Sequence, residues 1–338
     1  MGSYNTFKNI AMSEQIKRIG VMTSGGDSPG MNACVRAVVR TATYYNIETF
    51  GILHGYQGMI DNEMLKLESK DVANIIQRGG TILKSSRSQE FRTPEGRKKA
   101  YENLKTAGID GLVLIGGDGT FKGAQIFYDE FKIPSIGIPG TIDKDLVGTD
   151  FTIGYDTAIN TVVEAIDKIR DTADSHDRMF FVEVMGRDAG FIALASGIAI
   201  GAEAVLIPES PTYMEKLIEK IENGYKRKKL CHIIVVAEGD DAGGAIQIAE
   251  KVKERFTHIE TRVSILGHMQ RGGAPSCNDR VLASRLGFAG VKALLDGKWN
   301  YMVGVINDEI AYTPLSKANK QTPRINDELI NLVEVLSS

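Results

Sequence analysis

GLVLIGGDGT, residues 111–120, decides the fold. Leu112, Val113, Leu114 and Ile115 form an unbroken apolar run of strand length, and the run stops at two glycines, an aspartate and a third glycine. A strand with one wet face alternates apolar and polar residues. An unbroken run marks a strand buried on both faces, as in a parallel sheet covered by helices on either side. The same grammar recurs upstream, where the run at 19–23 ends in Ser24-Gly25-Gly26-Asp27-Ser28-Pro29-Gly30, and downstream, where 135–138 ends in Pro139-Gly140-Thr141-Ile142-Asp143-Lys144-Asp145.

Working outward, helical spacing fills the gaps between such runs. Val35, Val38, Val39 and Ala42 share one helix face, and Ile159, Val162, Val163, Ile166 and Ile169 share another on a helix over 156–171. Further helices are predicted at 71–77 and 95–107, and further strands at 49–53, 180–184, 205–207, 233–236 and 263–266. Strands and helices alternate to about residue 310, which predicts an α/β protein with largely parallel sheets. Such sheets bind ligands beyond the carboxyl ends of their strands. No tandem repeat of 20–50 residues is present.

Composition narrows the function classes. A chain of 338 residues exceeds one small core and suits two packed lobes. With 43% hydrophobic and 25% charged residues it has the make-up of a globular enzyme. A net charge of −3 argues against a nucleic-acid or membrane-surface binder. Cys34, Cys231 and Cys277 form no C-x-x-C pair, so neither a zinc site nor a disulfide framework is indicated, and reduced thiols suit a cytoplasm. No apolar run reaches the ~20 residues of a membrane helix, the stretch 191–202 being short and broken by Gly197 and Gly201. Residues 1–17 read as a flexible N-terminal extension without a signal-peptide pattern.

The three glycine-rich turns carry the chemistry. Glycine lets backbone approach a phosphate closely, and a following helix offers free N–H groups and a positive dipole end. Alone, the turn at 24–30 is as compatible with a structural bend. At 116–120, Asp118 adds a hard oxygen ligand of the kind Mg²⁺ takes beside phosphate oxygens and water; its other reading is a helix N-cap. Asp143 and Asp145, two residues apart at a strand end, can divide the work of phosphoryl transfer. One takes the proton of an attacking hydroxyl, and the other holds the metal. A polar turn bonding its own backbone is the plainer alternative.

These turns, together with Met185-Gly186-Arg187 and Gly267-His268-Met269-Gln270-Arg271-Gly272-Gly273, resemble the bacterial-type ATP-dependent 6-phosphofructokinase family from about residue 18 to at least residue 310. The resemblance implies two Rossmann-like three-layer lobes with the active site in the cleft between them. The larger, ATP-binding lobe is expected at 18–154 plus about 270–318, and the smaller, sugar-phosphate-binding lobe at 155–269 plus about 319–338. It implies transfer of the γ-phosphoryl of ATP to the 1-hydroxyl of fructose 6-phosphate, with Mg²⁺, in a cytoplasmic homotetramer of glycolysis. Asp143 becomes the base and Thr141 the residue that orients the phosphoryl. Asp118 and Asp145 become metal ligands. Gly26, Arg87, Gly117, Asp118, Gly119 and Thr120 are expected to contact ATP. Thr141, Ile142, Asp143, Arg178, Met185, Gly186, Arg187, Glu238, Arg262, His268 and Arg271 are expected to form the sugar-phosphate site, with Arg178 and Arg262 reaching across from a neighbouring subunit. Arg87 and Arg187 also face the charge that develops during transfer. An effector site for ADP or phosphoenolpyruvate is implied at Arg36, Arg40, Glu203, Arg227, Lys228 and Lys229.

Pyrophosphate-dependent relatives carry Asp at the position of Gly119 and Lys at that of Gly140, so the two glycines here point to ATP. Two departures from the family pattern stand out. Lys144 replaces the Asn of T-I-D-N-D, and a cation beside the base is expected to lower its pKa unless it points to solvent. Ser69 replaces an effector-site arginine, with Lys70 adjacent, so effector binding is expected in altered form. The other readings are a NAD or lipid kinase sharing G-G-D-G, a pyrophosphate-dependent enzyme, and a catalytically silent nucleotide sensor. Activity on related sugar phosphates such as tagatose 6-phosphate stays open.

Overall fold

The computed structural model of the chain describes residues 16–176, 178–227, 232–320 and 325–337. In chain order its elements are β1 (Arg18–Thr23), α1 (Met31–Tyr44), β2 (Glu48–Ile52), α2 (Tyr56–Asp61), β3 (Met64–Leu67), α3 (Pro94–Ala107), β4 (Gly111–Gly116), α4 (Asp118–Phe131) and β5 (Ser135–Pro139). They continue with α5 (Tyr155–Asp174), β6 (Met179–Val184), α6 (Phe191–Ala199), β7 (Ala204–Leu206), α7 (Met214–Lys226), β8 (His232–Ala237), α8 (Ala245–Arg255) and β9 (Thr261–Ile265). The last four are α9 (Cys277–Leu295), β10 (Tyr301–Ile306), β11 (Glu309–Pro314) and α10 (Asp327–Leu336). Two units divide the chain. Unit 1 holds the described residues up to Gly140, then Gly148–Asp150 and Arg280–Asn319; unit 2 holds Thr141–Val147, Phe151–Asp279 and the described residues from Lys320 onward.

Unit 1 is built on a seven-stranded sheet in the order β11-β10-β5-β4-β1-β2-β3. Its five inner strands run parallel, while β3 and β11 pair antiparallel at the two edges. Every residue of β4 and β5 is buried, as their unbroken apolar runs require. Gly137 in β5 lets the Phe121 ring of α4 press against the sheet, since a Cβ there would come within 2.6 Å of it. Cys34, on the buried face of α1, is fully enclosed, and burial pushes its thiol far above the ordinary range. The chain leaves β1 for β2 on one side and returns to β4 on the other. That reversal leaves a crevice outside the carboxyl ends of β1 and β4, where open α/β sheets place ligands.

Unit 2 has a four-stranded, wholly parallel sheet in the order β7-β8-β6-β9. Side-chain parity splits its core in two. Phe180, Val182, Val184, Ile233 and Val235 pack with α5, α6 and α10 on one face. Met179, Phe181, Ile234 and Val236 pack with α7 and α8 on the other. This is a three-layer sandwich of helix, sheet and helix. Among the described residues no helix is long and apolar enough to cross a membrane.

The predicted strands and the helices at 95–107 and 156–171 lie where expected, within a few residues at each end. The predicted helix at 71–77 is corrected. Val72 and Ile75 are buried at helical spacing, but the segment is a string of turns, with Asn74 in the left-handed region at φ 54°. Two edge pairings went unread. β3 is short and carries Lys66, a charge that blunts a sheet edge. β10 and β11 join through Asn307 and Asp308 at φ 51° and 65°, the double positive φ of a tight two-residue hairpin turn.

Candidate active site

In unit 1 the turns after β1 and β4 are bound to one another. The Ser24 N–H donates to the Ile115 carbonyl at 3.0 Å, and the Thr120 hydroxyl donates to the Ser24 carbonyl at 3.3 Å. Gly116 permits the approach, because a Cβ there would meet the Ser24 carbonyl at 2.5 Å. The buried Tyr56 hydroxyl fixes the turn from beneath by donating to the Thr120 carbonyl at 2.6 Å. A third strand of chain joins in: the Thr23 hydroxyl donates to the Lys84 carbonyl at 2.7 Å, and the Ser85 hydroxyl donates to the Gly25 carbonyl at 2.5 Å. Arg87, exposed, follows two residues later. Asn32 of α1 holds the start of that loop, donating to the carbonyls of Arg78 and Gly79 and accepting from the Ile82 N–H. Gly26, Arg87 and Gly117–Thr120 are thus carried on loops tied together at the sheet's carboxyl edge.

Asp118 is not the cap of α4. Gly117 is the N-cap residue and α4 begins at Asp118, whose carboxylate meets Lys122 one turn on at 2.8 Å. The first amides of α4 therefore face the ligand side of β4, where an N-terminus favours phosphate. A Cβ at Gly119 would meet nothing within 4 Å, so the position faces open space. Gly140 differs. A Cβ there would lie 2.9 Å from Ile115 and 3.1 Å from Met31, so its small size is a packing requirement of unit 1 as well.

In unit 2 the carboxyl ends of β6 and β8 and the turn after β9 meet through two polar links. The Met185 N–H donates to the Gln270 side chain at 3.1 Å, and Gln270 is fully buried. The Arg187 N–H donates to Glu238 Oε1 at 2.6 Å, with Gly186 at 3.4 Å. Arg187 sits in the left-handed region at φ 59° and Gly186 at φ 147°, which turns this loop sharply off β6. The Gly267–Arg271 turn presents His268 on an exposed short helical turn.

Asp143 and Asp145 lie in this unit. The Asp143 N–H donates to the Thr141 hydroxyl at 3.2 Å, and Ile142 is anchored in the core shared with α5 and α6. Burial raises the Asp143 carboxyl above its ordinary value; Arg271, then Arg187 and Lys320, pull it down, and Glu238 pushes it up. Asp145, 5% exposed, is raised first by burial and then by Asp143, against the pull of Lys320. The expectation that a cation at position 144 lowers the base's pKa is therefore not met. Lys144 lays its ammonium over the rings of Phe151, Tyr155 and Phe191.

Not every candidate joins these groups. Arg178 precedes β6 and Arg262 is the second residue of β9, both at the amino end of the sheet, whereas Met185 and His268 lie past its carboxyl end, with Met185 about 23 Å along β6 from Arg178. Both are ion-paired to Glu260, Arg178 at 2.5 Å. Arg36 and Arg40, in unit 1, are one turn apart on α1; burial and then the charge of Arg40 lower the Arg36 pKa. Glu203, in unit 2, is buried at 3.6 Å from His232 and 4.0 Å from Arg227. Lys228 and Lys229 lie outside the described residues, as does Cys231. Lys70, next to Ser69, is paired with Glu68 at 2.9 Å.

Lys320 is the site residue that sequence reading missed. It stands 3.7 Å from Asp145 and pairs with Asp188. It belongs to no glycine turn and no strand end, and a lone cation in a polar stretch carries no signal. Gln270 was visible only as a letter of its motif; its burial gives it a joining role.

Residues 18–294 match the family model described as Phosphofructokinase. The protein curated as ATP-dependent 6-phosphofructokinase of Cytophaga hutchinsonii is 55% identical over 322 residues, covering 95% of this chain and 98% of its own. ATP-dependent 6-phosphofructokinase 1 of Thermus thermophilus is 56% identical over 322 residues, covering 95% and 100%. Among solved structures, phosphofructokinase from Saccharomyces cerevisiae aligns with a TM-score of 0.85 at 36% identity, over 95% of this chain and 48% of the yeast chain.

Proposed function

The chain belongs to the phosphofructokinase family, and from that premise we propose that it transfers the γ-phosphoryl of ATP to the 1-hydroxyl of fructose 6-phosphate, yielding fructose 1,6-bisphosphate and ADP, a glycolytic step. The observation that carries the reading is a carboxyl, Asp143, that burial raises while the charges of Arg271, Arg187 and Lys320 pull it down. A base that keeps its proton affinity amid cations suits an acceptor that is itself a phosphate ester.

Asp143 takes the proton of the 1-hydroxyl as that oxygen bonds to the γ-phosphorus; the bond from that phosphorus to the bridging oxygen breaks and ADP leaves. Thr141, hydrogen-bonded to the Asp143 amide, orients the phosphoryl. The amides of Gly117, Asp118 and Gly119, backed by Thr120, and the glycine turn at Gly26 receive the nucleotide phosphates. Arg87 and Arg187 meet the charge that spreads over the transferring oxygens. His268 and Arg271 hold the sugar phosphate with Ile142, Met185 and Gly186, and Glu238 accepts from sugar hydroxyls. Arg178 and Arg262, at the far end of their sheet, serve the same site on a neighbouring copy in a homotetramer.

Asp118 and Asp145 suit Mg²⁺, which takes one or two carboxylates and fills its other positions with phosphate and water. Asp145 supports this: it is 5% exposed and burdened by Asp143, a like charge that a divalent cation relieves. When bound, the ion neutralises charge on the transferring phosphates. Arg36, Arg40, Glu203 and Arg227, with Lys228 and Lys229, answer to an effector such as ADP or phosphoenolpyruvate. The thiols of Cys34 and Cys277, neither in a disulfide, accord with a cytoplasmic setting.

The deciding assay offers fructose 6-phosphate and Mg²⁺ with ATP in one reaction and pyrophosphate in another. Turnover with ATP alone is expected. Turnover with pyrophosphate overturns the donor assignment and the meaning given to the open space at Gly119. ATP binding without turnover makes the chain a silent sensor and overturns the roles given to Asp143 and Thr141.

A further inference from the structure

Lys144 occupies the residue between the two carboxylates of the β5 turn, and its backbone sits in the left-handed region at φ 55°. Glycine and asparagine take that conformation readily; a long side chain takes it at a cost from its own Cβ. This chain places a lysine at the turn and so bears that cost. Something else must hold the backbone in place.

The side chain supplies it. The Lys144 ammonium lies 5.0 Å from the ring centroid of Phe151, 4.9 Å from that of Tyr155 and 5.4 Å from that of Phe191. All are within the reach of cation–π attraction. The rings stand on fixed supports. Tyr155 is the first residue of α5, is 6% exposed, and donates its hydroxyl to the Phe191 carbonyl at 3.3 Å. Phe191 opens α6, and the residue before it, Gly190, gives its N–H to Glu209 at 2.8 Å. Phe151 is half exposed and closes the outer side. On the turn itself Ile142 and Leu146 are buried on either flank. The segment is therefore pinned at its apolar ends and, between them, by one cation drawn onto three rings.

We propose that Lys144 is a positioning residue, and that its clamp of Phe151, Tyr155 and Phe191 locks the left-handed turn that sets Asp143 and Asp145 in register. The inference rests on the reading of Asp143 as the base. A clamp of this kind acts on the chemical step rather than on substrate affinity, because a misplaced base costs rate while the binding groups stay where they were. It also has a partner rule: the ring and the cation lose their value together.

The test uses the full chain with fructose 6-phosphate and MgATP, comparing Lys144→Met, Lys144→Arg, Phe151→Leu and the double variant Lys144→Met/Phe151→Leu. The clamp predicts a fall in kcat of about tenfold for Lys144→Met with both KM values held within about twofold. Lys144→Arg restores kcat to within about threefold of the wild type, since guanidinium also binds ring faces. Phe151→Leu lowers kcat by about threefold alone and adds nothing in the Lys144→Met background. Urea unfolding of the same four proteins reads the coupling without activity, and the two single losses are expected not to add. If the wild type turns over but Lys144→Met keeps its kcat, or the two changes add in both measurements, the clamp is overturned. If the wild type shows no turnover, the functional reading fails instead, and additive urea midpoints then dispose of the clamp separately.

Discussion

Asp118 and Asp143 each follow a buried parallel strand and a glycine, yet they end in opposite surroundings. Asp118 opens a helix, and its ion pair comes from one turn further along the same helix. Asp143 starts no helix; its surroundings come from Arg187, Glu238, Arg271 and Lys320, all distant from it in sequence. The first carboxylate is placed by local geometry and keeps access to water. The second is placed by packing and is held partly out of water. The contrast fits the two roles proposed above: a ligand for a cation needs an available charge, while a base needs a proton affinity raised toward the working pH.

The largest expected effect tests the buried member. Asp143→Asn should lower kcat by roughly 10²–10⁴-fold with KM for fructose 6-phosphate changed only a few-fold, because it removes a role confined to the transition state. A loss below tenfold in steady-state assays would remove Asp143 from the base role and collapse the contrast. Asp118→Asn comes next. It should raise the Mg²⁺ concentration for half-maximal rate by about 10–100-fold, a size typical of weakened metal holding, and leave the acid side of the pH profile in place. A Mg²⁺ titration with no shift would reduce Asp118 to its ion pair with Lys122.

Acidity sharpens the comparison further. The base must be ionised, so kcat should fall as pH falls through a pKa above the ~3.9 of a free aspartate, visible in a kcat–pH profile. Stability has its own sign. Raised folded-state values mean that the native protein binds more protons than the unfolded chain between the ordinary and the raised pKa, so the contribution of Asp143 and Asp145 to stability declines as pH rises across that window. Asp143→Asn should therefore show a higher midpoint than the wild type at neutral pH, without metal or nucleotide, and lose that advantage at acidic pH. The smallest effect belongs to Lys122→Met. An exposed pair at this spacing is worth about 0.3–0.5 kcal/mol, so urea unfolding should barely move. A change beyond ~1 kcal/mol would show that the Asp118 turn is less local than described.

The two turns also mark what could be read in advance. Asp118 follows an apolar run that any parallel-sheet argument recovers, and the crevice rule places it at a ligand site from sequence alone. The unbroken runs at β4 and β5 betrayed their burial on both faces because no polar residue interrupts them. The segment at 71–77 shows the limit of such patterns. Val72 and Ile75 are buried at helical spacing, but burial spacing does not specify backbone dihedrals, and Asn74 took the left-handed option. Lys320 escaped for another reason: its place beside Asp145 is a tertiary fact with no local cause. The ring cluster over Lys144 escaped likewise, since Phe191 lies far along the chain, at the start of a different helix.

The starts of the helices hold one more consequence. The N-terminus of α5 is occupied by Asp279, which accepts from the Gly154 and Thr157 amides at 2.7 and 2.8 Å. Glu209 does the same for Gly190 before α6, and Glu183 for the first amide of α8 at 2.8 Å. No side chain caps α1 or α4. Three helix starts of unit 2 are thus held by carboxylates from elsewhere in the chain, whereas α1 and α4, which follow β1 and β4 at the sheet edge of unit 1, start without one. A carboxylate already seated at a helix start repels a second anion there, so the field of these helix ends favours an anion at α1 and α4 over α5, α6 and α8.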